Sequence, residues 1–330
     1  MNIAVLGSGS WATAMVKILC ENKQKVLWWV REQEIKEGVE KHSHNPMFLR
    51  ACVLDNKKIE VSTDINFVIQ RASILFCVIP SAFVEKSFEN VSFSSMQNKI
   101  VVTATKGMIP SKNQIVSLFF KEKYNIPYTS QCVVSGPSHA EEVSMECLTY
   151  LTCGSENKEL AQSIASIISC PYVKTLISDD IEGVEYAGVL KNIYAVATGI
   201  AFGLGYGDNY IAVLVSKATT EMQHFLDVVD KRKRNINAIV YLGDLLVTAY
   251  SQHSRNRTFG QMIGKGYSVS SAQLEMQMVA EGYYSVNGIH KLNEKLNANL
   301  PIVEAVYRIL YQDTCPHEEF SNLSEQFTKE

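Results

Sequence analysis

The sequence predicts an α/β protein in two parts: a parallel sheet wound with helices in the N-terminal part, then an all-helical C-terminal part. Three observations carry this. Short apolar runs recur between residues 3 and 178, with helical or loop stretches between them. From Asp179-Asp180 onward those runs largely stop, and 3.6-residue periodicity fills long segments instead. Between the first two runs lies a glycine-punctuated turn, Gly7-Ser8-Gly9-Ser10-Trp11-Ala12. The change of texture places a boundary near 178 and defines domains 1–178 and 179–330, within a chain of 330 residues that has room for two cores.

The first element is the strand Met1-Asn2-Ile3-Ala4-Val5-Leu6, and a helix follows from Thr13 through Cys20. Strand, glycine turn and helix stand in the order a dinucleotide site needs. Gly7 permits the tight turn, Gly9 lets the backbone approach a pyrophosphate, and Ala12 leaves room for helix and strand to pack. The first turn of that helix aims its unpaired N–H groups and positive dipole end at the phosphates. Lys25 through Arg31 is the second strand. At its end an acid would accept a ribose 2′-hydroxyl and an arginine would accommodate a 2′-phosphate. Arg31 is followed at once by Glu32, so both NAD and NADP stay open; adenine stacking by Arg31 suits either.

Glu34 to Ile59 reads as a helix and a surface loop containing His42, His44, Asn45 and Pro46, and Asp64 to Arg71 as a helix. Ile74 through Ile79 is a fully buried parallel strand closed by Pro80. Lys99 through Gly107 and Gln131 through Ser138 repeat the pattern, with Lys106, Gly136 and Ser138 at carboxyl ends, where open parallel sheets bind ligands. Two later strands, Tyr150–Thr152 and Tyr172–Leu176, flank a helix at Glu159 to Ile168. Helical segments then cover 181–202, 209–228, 235–251, 270–282 and 301–311. The basic run Lys231-Arg232-Lys233-Arg234 reads as a solvated interhelix loop, and the polar tail after Cys315 as frayed.

Composition excludes several classes. Hydrophobic residues make up 46% and charged residues 20%, with a formal net charge of -3, which gives nucleic acid no footing as a main partner. No apolar run is long enough for a membrane span, and because Met1 leads straight into the first strand no cleavable leader is expected. The eight cysteines show no C-x-x-C and no regular spacing, so they read as small buried hydrophobes in a reducing cytoplasm. The histidines make no metal-binding pattern, and no catalytic metal is expected.

A second constellation lies in the helical part. Lys191 and Asn192 interrupt an apolar helix among Val189, Leu190 and Ile193, and a lysine there needs a partner or a task. Asp244 and Thr248 lie one turn apart on one helix face. Ser254-Arg255-Asn256-Arg257-Thr258-Phe259-Gly260 reads as a loop dense in donors and suits an oxyanion such as phosphate, although an interhelix salt bridge of Asp244 and Arg255 is the plainer reading. From the residues alone, the chain is a nicotinamide dehydrogenase with a lysine acid/base and an anionic substrate. Rivals are a hydroxyacid or opine type of dehydrogenase, and a cofactor-binding sensor without catalysis.

Taken in order, Gly7-x-Gly9-Ser10-Trp11-Ala12, Thr105-Lys106-Gly107, Ser135-Gly136-Pro137-Ser138-x-Ala140, Leu190-Lys191-Asn192, Gly243-Asp244-Leu245, Thr248, Ser254-Arg255-Asn256-Arg257 and Glu281-Gly282 resemble bacterial-type NAD(P)-dependent glycerol-3-phosphate dehydrogenase. The resemblance runs from residue 3 to about residue 290. It implies a Rossmann domain, an all-helical substrate domain, and interconversion of dihydroxyacetone phosphate and sn-glycerol 3-phosphate with NAD or NADP, supplying phospholipid synthesis in the cytoplasm. It implies Lys191 as proton donor and acceptor, with Lys106, Asp244 and Thr248 beside it in the catalytic set. Substrate is expected at Lys106, Gly136, Ser138, Lys191, Asp244, Ser254, Arg255 and Asn256. Cofactor is expected at Gly7, Gly9, Ser10, Trp11, Arg31, Lys106, Ala140, Arg255, Val279 and Glu281. Ala12 stands where the family usually has glycine, and His139 where an aromatic such as Phe is common. The oligomeric state is left open, a homodimer included.

Overall fold

The structure, a computed structural model, describes residues 2–276 and 280–329. Its chain packs as two compact units: Met1–Thr105 with Ile115–Val184, and Lys106–Gln114 with Glu185–Glu330.

The first unit carries β1 (Ile3–Leu6), α1 (Ser10–Glu21), β2 (Val26–Trp29), α2 (Gln33–His42), β3 (Ile59–Ser62), α3 (Ile65–Arg71), β4 (Ile74–Cys77), α4 (Ser81–Ser87) and β5 (Ile100–Thr103). After the short ribbon strands β6 (Met108–Ile109) and β7 (Gln114–Ile115) come α5 (Val116–Tyr124), β8 (Gln131–Ser135), α6 (Ala140–Ser144), β9 (Thr149–Gly154), α7 (Lys158–Ile168) and β10 (Val173–Ser178). One eight-stranded sheet has the order β10-β9-β8-β5-β4-β1-β2-β3. The chain winds outward both ways from the β1/β4 junction, so the crevice at the carboxyl end of β1 is a topological switch point. Strands β1, β2, β4 and β8 are buried along their whole length, which is why they read as unbroken apolar runs rather than alternating ones. The sheet departs from the expected all-parallel pattern at one place: β8 and β9 pair antiparallel, Val134 opposite Cys153. Alternation within a single strand is blind to that direction. Asp64 caps α3 by accepting from the N–H groups of Asn66 and Phe67.

The second unit holds the rest of α8 (Ile181–Gly203), then α9 (Asp208–Val229), α10 (Asp244–Tyr250), α11 (Arg255–Gly264), α12 (Val269–Glu275), α13 (Glu281–Leu296), α14 (Pro301–Tyr311) and α15 (Pro316–Gln326). Asp180 begins α8 by accepting from Gly183 N at 3.0 Å. Helix α8 is apolar nearly all round and sits at the core of this unit, with Val189, Leu190, Ile193, Val196 and Ile200 all fully buried. A Cβ on Gly199 or Gly260 would fall inside the facing backbone, so α8 and α11 touch main chain to main chain.

Several sequence expectations change here. The packing units divide within α8, between Val184 and Glu185, and Lys106–Gln114 belongs with the second unit. Met108 reaches Gly288 of α13, and Lys106 O accepts from Asn192 Nδ2, which draws that segment across. The stretch from Ser254 is a capped helix, not a loop, since Ser254 Oγ accepts from Arg257 N. Helical periodicity over 270–282 covers two helices, α12 ending at Glu275 and α13 starting at Glu281. The tail forms α15, which buries Phe320 and Leu323 and ties Glu319 to Arg308 through two bonds of 2.9 and 2.7 Å. Within the basic run, Arg234 is almost wholly buried and donates to the carbonyls of Leu226 and Asp230, closing the end of α9.

Candidate functional site

In the first unit, β1 ends in the glycine turn and α1 begins at Ser10 with Gly9 as its N-cap. Gly7 has φ +136, and a Cβ there would lie 2.5 Å from Val78 O, so only glycine fits. Among the described residues, a Cβ on Gly9 would meet nothing within 4 Å, so open space lies where α1 begins. Trp11 Nε1 is buried and, among the described residues, has no hydrogen-bond partner. An open helix start, the free N–H groups of a first turn and a dry indole donor fit the pyrophosphate of a dinucleotide. At the end of β2, Glu32 Oε1 accepts from Arg31 Nε at 2.8 Å and approaches its Nη2 at 2.6 Å. The Arg31 side chain is 70% exposed, so this guanidinium is half neutralised at the position that meets the adenosine ribose in such folds. Gly136, with φ +137, turns the chain after β8; Ser138 Oγ donates to Gly136 O, and Ala140 opens α6.

The second unit brings the polar residues of α8, α10 and α11 together. Lys191 Nζ donates to Asp244 Oδ1 at 2.5 Å and to Thr248 Oγ1 at 2.9 Å. Lys106 Nζ reaches the other carboxylate oxygen, Asp244 Oδ2, at 3.0 Å. Thr248 Oγ1 in turn donates to Asp244 O, so the hydroxyl accepts from the ammonium along one fixed direction. Asp244 follows a single π-helical turn, Ile239–Gly243, which re-aims α10 at its start. Lys191 is 6% exposed and Asp244 1%. Burial pushes the Lys191 ammonium down to about 7; Asp244 holds it up, and the Lys106 charge works against it. For Asp244 burial acts upward, but the charges of Lys106 and Lys191 outweigh it and keep the carboxyl below its ordinary range.

A chain of amides extends from this cluster. Asn192 Nδ2 donates to Lys106 O at 2.6 Å, Asn256 Nδ2 to Asn192 Oδ1 at 2.9 Å, and Gly282 N to Asn256 Oδ1 at 2.9 Å. Arg255 is half-buried at the first position of α11, whose first turn contains no acidic residue. The Asn256 side chain is therefore occupied within the protein, and its backbone N–H, in the first turn of α11, is the group left to face an anion. Glu281 opens α13, and Val279 lies outside the described residues. Sequence reasoning noticed Asn192 beside Lys191 but gave it no role in the site, and placed Asn45 in a surface loop although it is wholly buried.

Comparison with known proteins places these features in a family. The family model described as NAD-dependent glycerol-3-phosphate dehydrogenase N-terminus matches residues 2–161, and that described as its C-terminus matches residues 180–321. The glycerol-3-phosphate dehydrogenase (NAD(P)+) of Agathobacter rectalis is 33% identical over 322 residues, 97% of this chain and 95% of the relative. That of Syntrophotalea carbinolica is 32% identical over 100% of this chain and 99% of its own. The crystal structure of glycerol-3-phosphate dehydrogenase from Coxiella burnetii superposes with TM-score 0.90 at 28% identity, covering 98% of each chain. The Plasmodium falciparum enzyme, at 23% identity and TM-score 0.84 over 97% of this chain and 94% of its own, shares the fold.

Proposed function

Because the chain belongs to the NAD-dependent glycerol-3-phosphate dehydrogenase family, we propose that Lys191 is the acid/base with which it interconverts dihydroxyacetone phosphate and sn-glycerol 3-phosphate. It is an oxidoreductase that uses NAD(P). The observation that carries the residue assignment is the buried Lys191 between Asp244 and Thr248, with its ammonium brought down to about 7. When bound, the nicotinamide cofactor supplies or accepts the hydride. Lys191 holds the substrate oxygen: as ammonium it polarises the carbonyl and gives up a proton, and as neutral amine it takes one back. Near neutral pH both forms are populated, so one residue serves both directions. Asp244 fixes the lysine and offsets its charge, and Thr248 aims it. Lys106 adds positive potential where negative charge develops.

The substrate phosphate is held by Arg255 and by the N–H groups at the start of α11, including that of Asn256, with Ser254 capping the turn. Anchoring the unreactive end contributes binding that the reacting end can use. The substrate contacts assigned to Gly136 and Ser138, and the cofactor contacts assigned to Lys106, Ala140, Arg255, Val279 and Glu281, belong to the same proposal. So do a first domain for cofactor and a second for substrate, action in the cytoplasm to supply phospholipid synthesis, a homodimeric assembly and no nucleic-acid partner. Among the described residues no helix is long and apolar enough to cross a membrane. Oxidation of NADH or NADPH on adding dihydroxyacetone phosphate, against a panel of keto acids and phosphate-free ketones, tests the reading. Turnover of a keto acid in preference to dihydroxyacetone phosphate would overturn it.

A further inference from the structure

Three successive carbonyl oxygens run through the glycine turn, and each is held by a side-chain donor. Trp28 Nε1 donates to Gly7 O at 2.7 Å, Asn45 Nδ2 to Ser8 O at 3.0 Å, and Thr13 Oγ1 to Gly9 O at 3.1 Å. Trp28, Asn45 and Thr13 are all fully buried. Asn45 ties the set together, because its Nδ2 also donates to Thr13 Oγ1 at 2.8 Å, which leaves the threonine proton for Gly9 O. Its Oδ1 accepts from Met47 N at 3.0 Å and Phe48 N at 3.1 Å, so every hydrogen-bonding position of this amide is filled.

The planar trans peptide makes this arrangement directional. The carbonyl of one residue and the N–H of the next lie in one plane and point in opposite directions across the C–N bond. Turning the carbonyls of Gly7, Ser8 and Gly9 toward their tethers therefore turns the N–H groups of Ser8, Gly9 and Ser10 the other way. A carbonyl oxygen facing a pyrophosphate repels it, and an N–H attracts it.

We propose that Trp28, Asn45 and Thr13 are a tethering set that presents the glycine-turn amides to the cofactor pyrophosphate, with Asn45 as a positioning residue for cofactor binding. The proposal rests on the reading of this turn as the NAD(P) site. It makes a substitution that keeps shape but loses the donor worse than one that loses both. Asn45→Asp would set a carboxylate against Ser8 O, whereas Asn45→Ala only empties the space.

Calorimetric binding of NADH, ADP-ribose and adenosine to the full-length protein tests this directly. Asn45→Asp should weaken NADH and ADP-ribose about tenfold or more, and more than Asn45→Ala does, while adenosine binding stays within about twofold. Thr13→Val, which removes one hydroxyl at nearly constant shape, should show the same selective loss at about threefold; it carries the test if neither Asn45 variant folds. Equal losses for adenosine and ADP-ribose, or Asn45→Asp binding as well as the unaltered protein, would overturn the proposal. Failure of the unaltered protein to bind NADH or NADPH at all would instead overturn the cofactor reading beneath it.

Discussion

The glycine turn of the first unit and the lysine cluster of the second prepare for negative charge with different parts of the chain. The turn presents backbone: its donors are amides whose direction follows from Gly7 at φ +136 and from the buried tethers Trp28, Asn45 and Thr13. The cluster presents side chains drawn from positions 106, 191, 244 and 248, far apart in sequence and joined by bonds of 2.5 to 3.0 Å. A backbone site tolerates changes of side chain at its open face but not of the turn itself. A side-chain site fails one residue at a time. Single substitutions should therefore be severe in the cluster and mild at the rim of the turn.

The largest effect should come from Lys191→Met, which keeps the length and apolar fit of the side chain but leaves no proton to move. We expect kcat to fall about a hundredfold to ten-thousandfold, with NADH affinity unchanged by direct titration. A folded variant with near-normal turnover would erase the distinction between the two regions. Next comes Arg255→Ala. Removing one side of a desolvated charge pair costs about 2–5 kcal/mol, so kcat/KM for dihydroxyacetone phosphate should fall about thirtyfold to several thousandfold. Phosphate-free dihydroxyacetone should be nearly unaffected; equal losses for both would show that Arg255 is no phosphate anchor, provided NADH binding is measured alongside.

This difference between regions also governed what could be read in advance. Strand β1, the turn and α1 are contiguous, so periodicity and two glycines were enough to place them. The Lys191–Asp244–Thr248 group spans two helices, and no local pattern specifies which helix faces meet. Lys191 was conspicuous only because a charge inside an apolar run needs an explanation, Asp244 and Thr248 stood out as a pair on one helix face, and only the family resemblance joined them to Lys191. Asn45 shows the limit from the other side: asparagine before proline reads as a surface turn, and only the fold shows it buried against Ser8 and Thr13. Helix α15 was misread because its polar composition hides the two residues, Phe320 and Leu323, that seat it.

Smaller effects sharpen the comparison. Asp244→Asn removes the carboxylate that holds the Lys191 ammonium up, so Lys191 should titrate further below about 7. Reduction measured at pH 7 should then fall about tenfold and recover in part on acidification. No change in the pH profile of this variant would detach Asp244 from Lys191. The mildest change is Arg31→Ala at the rim of the turn. Its guanidinium is largely exposed and shared with Glu32, so KM for NADPH should rise about two- to fivefold and KM for NADH less. Equal shifts for both cofactors would mean that Arg31 stacks on adenine or makes no contact.

The most direct measurement is kcat against pH in both directions with saturating cofactor. Reduction needs Lys191 as ammonium, so its rate should fall as pH rises through about 7. Oxidation needs the neutral amine, so its rate should rise through the same value. Mirrored curves crossing near neutrality, both flattened by Lys191→Met, are the predicted result. Curves that bend the same way in both directions, or that persist unchanged in Lys191→Met, would contradict Lys191 as the acid/base.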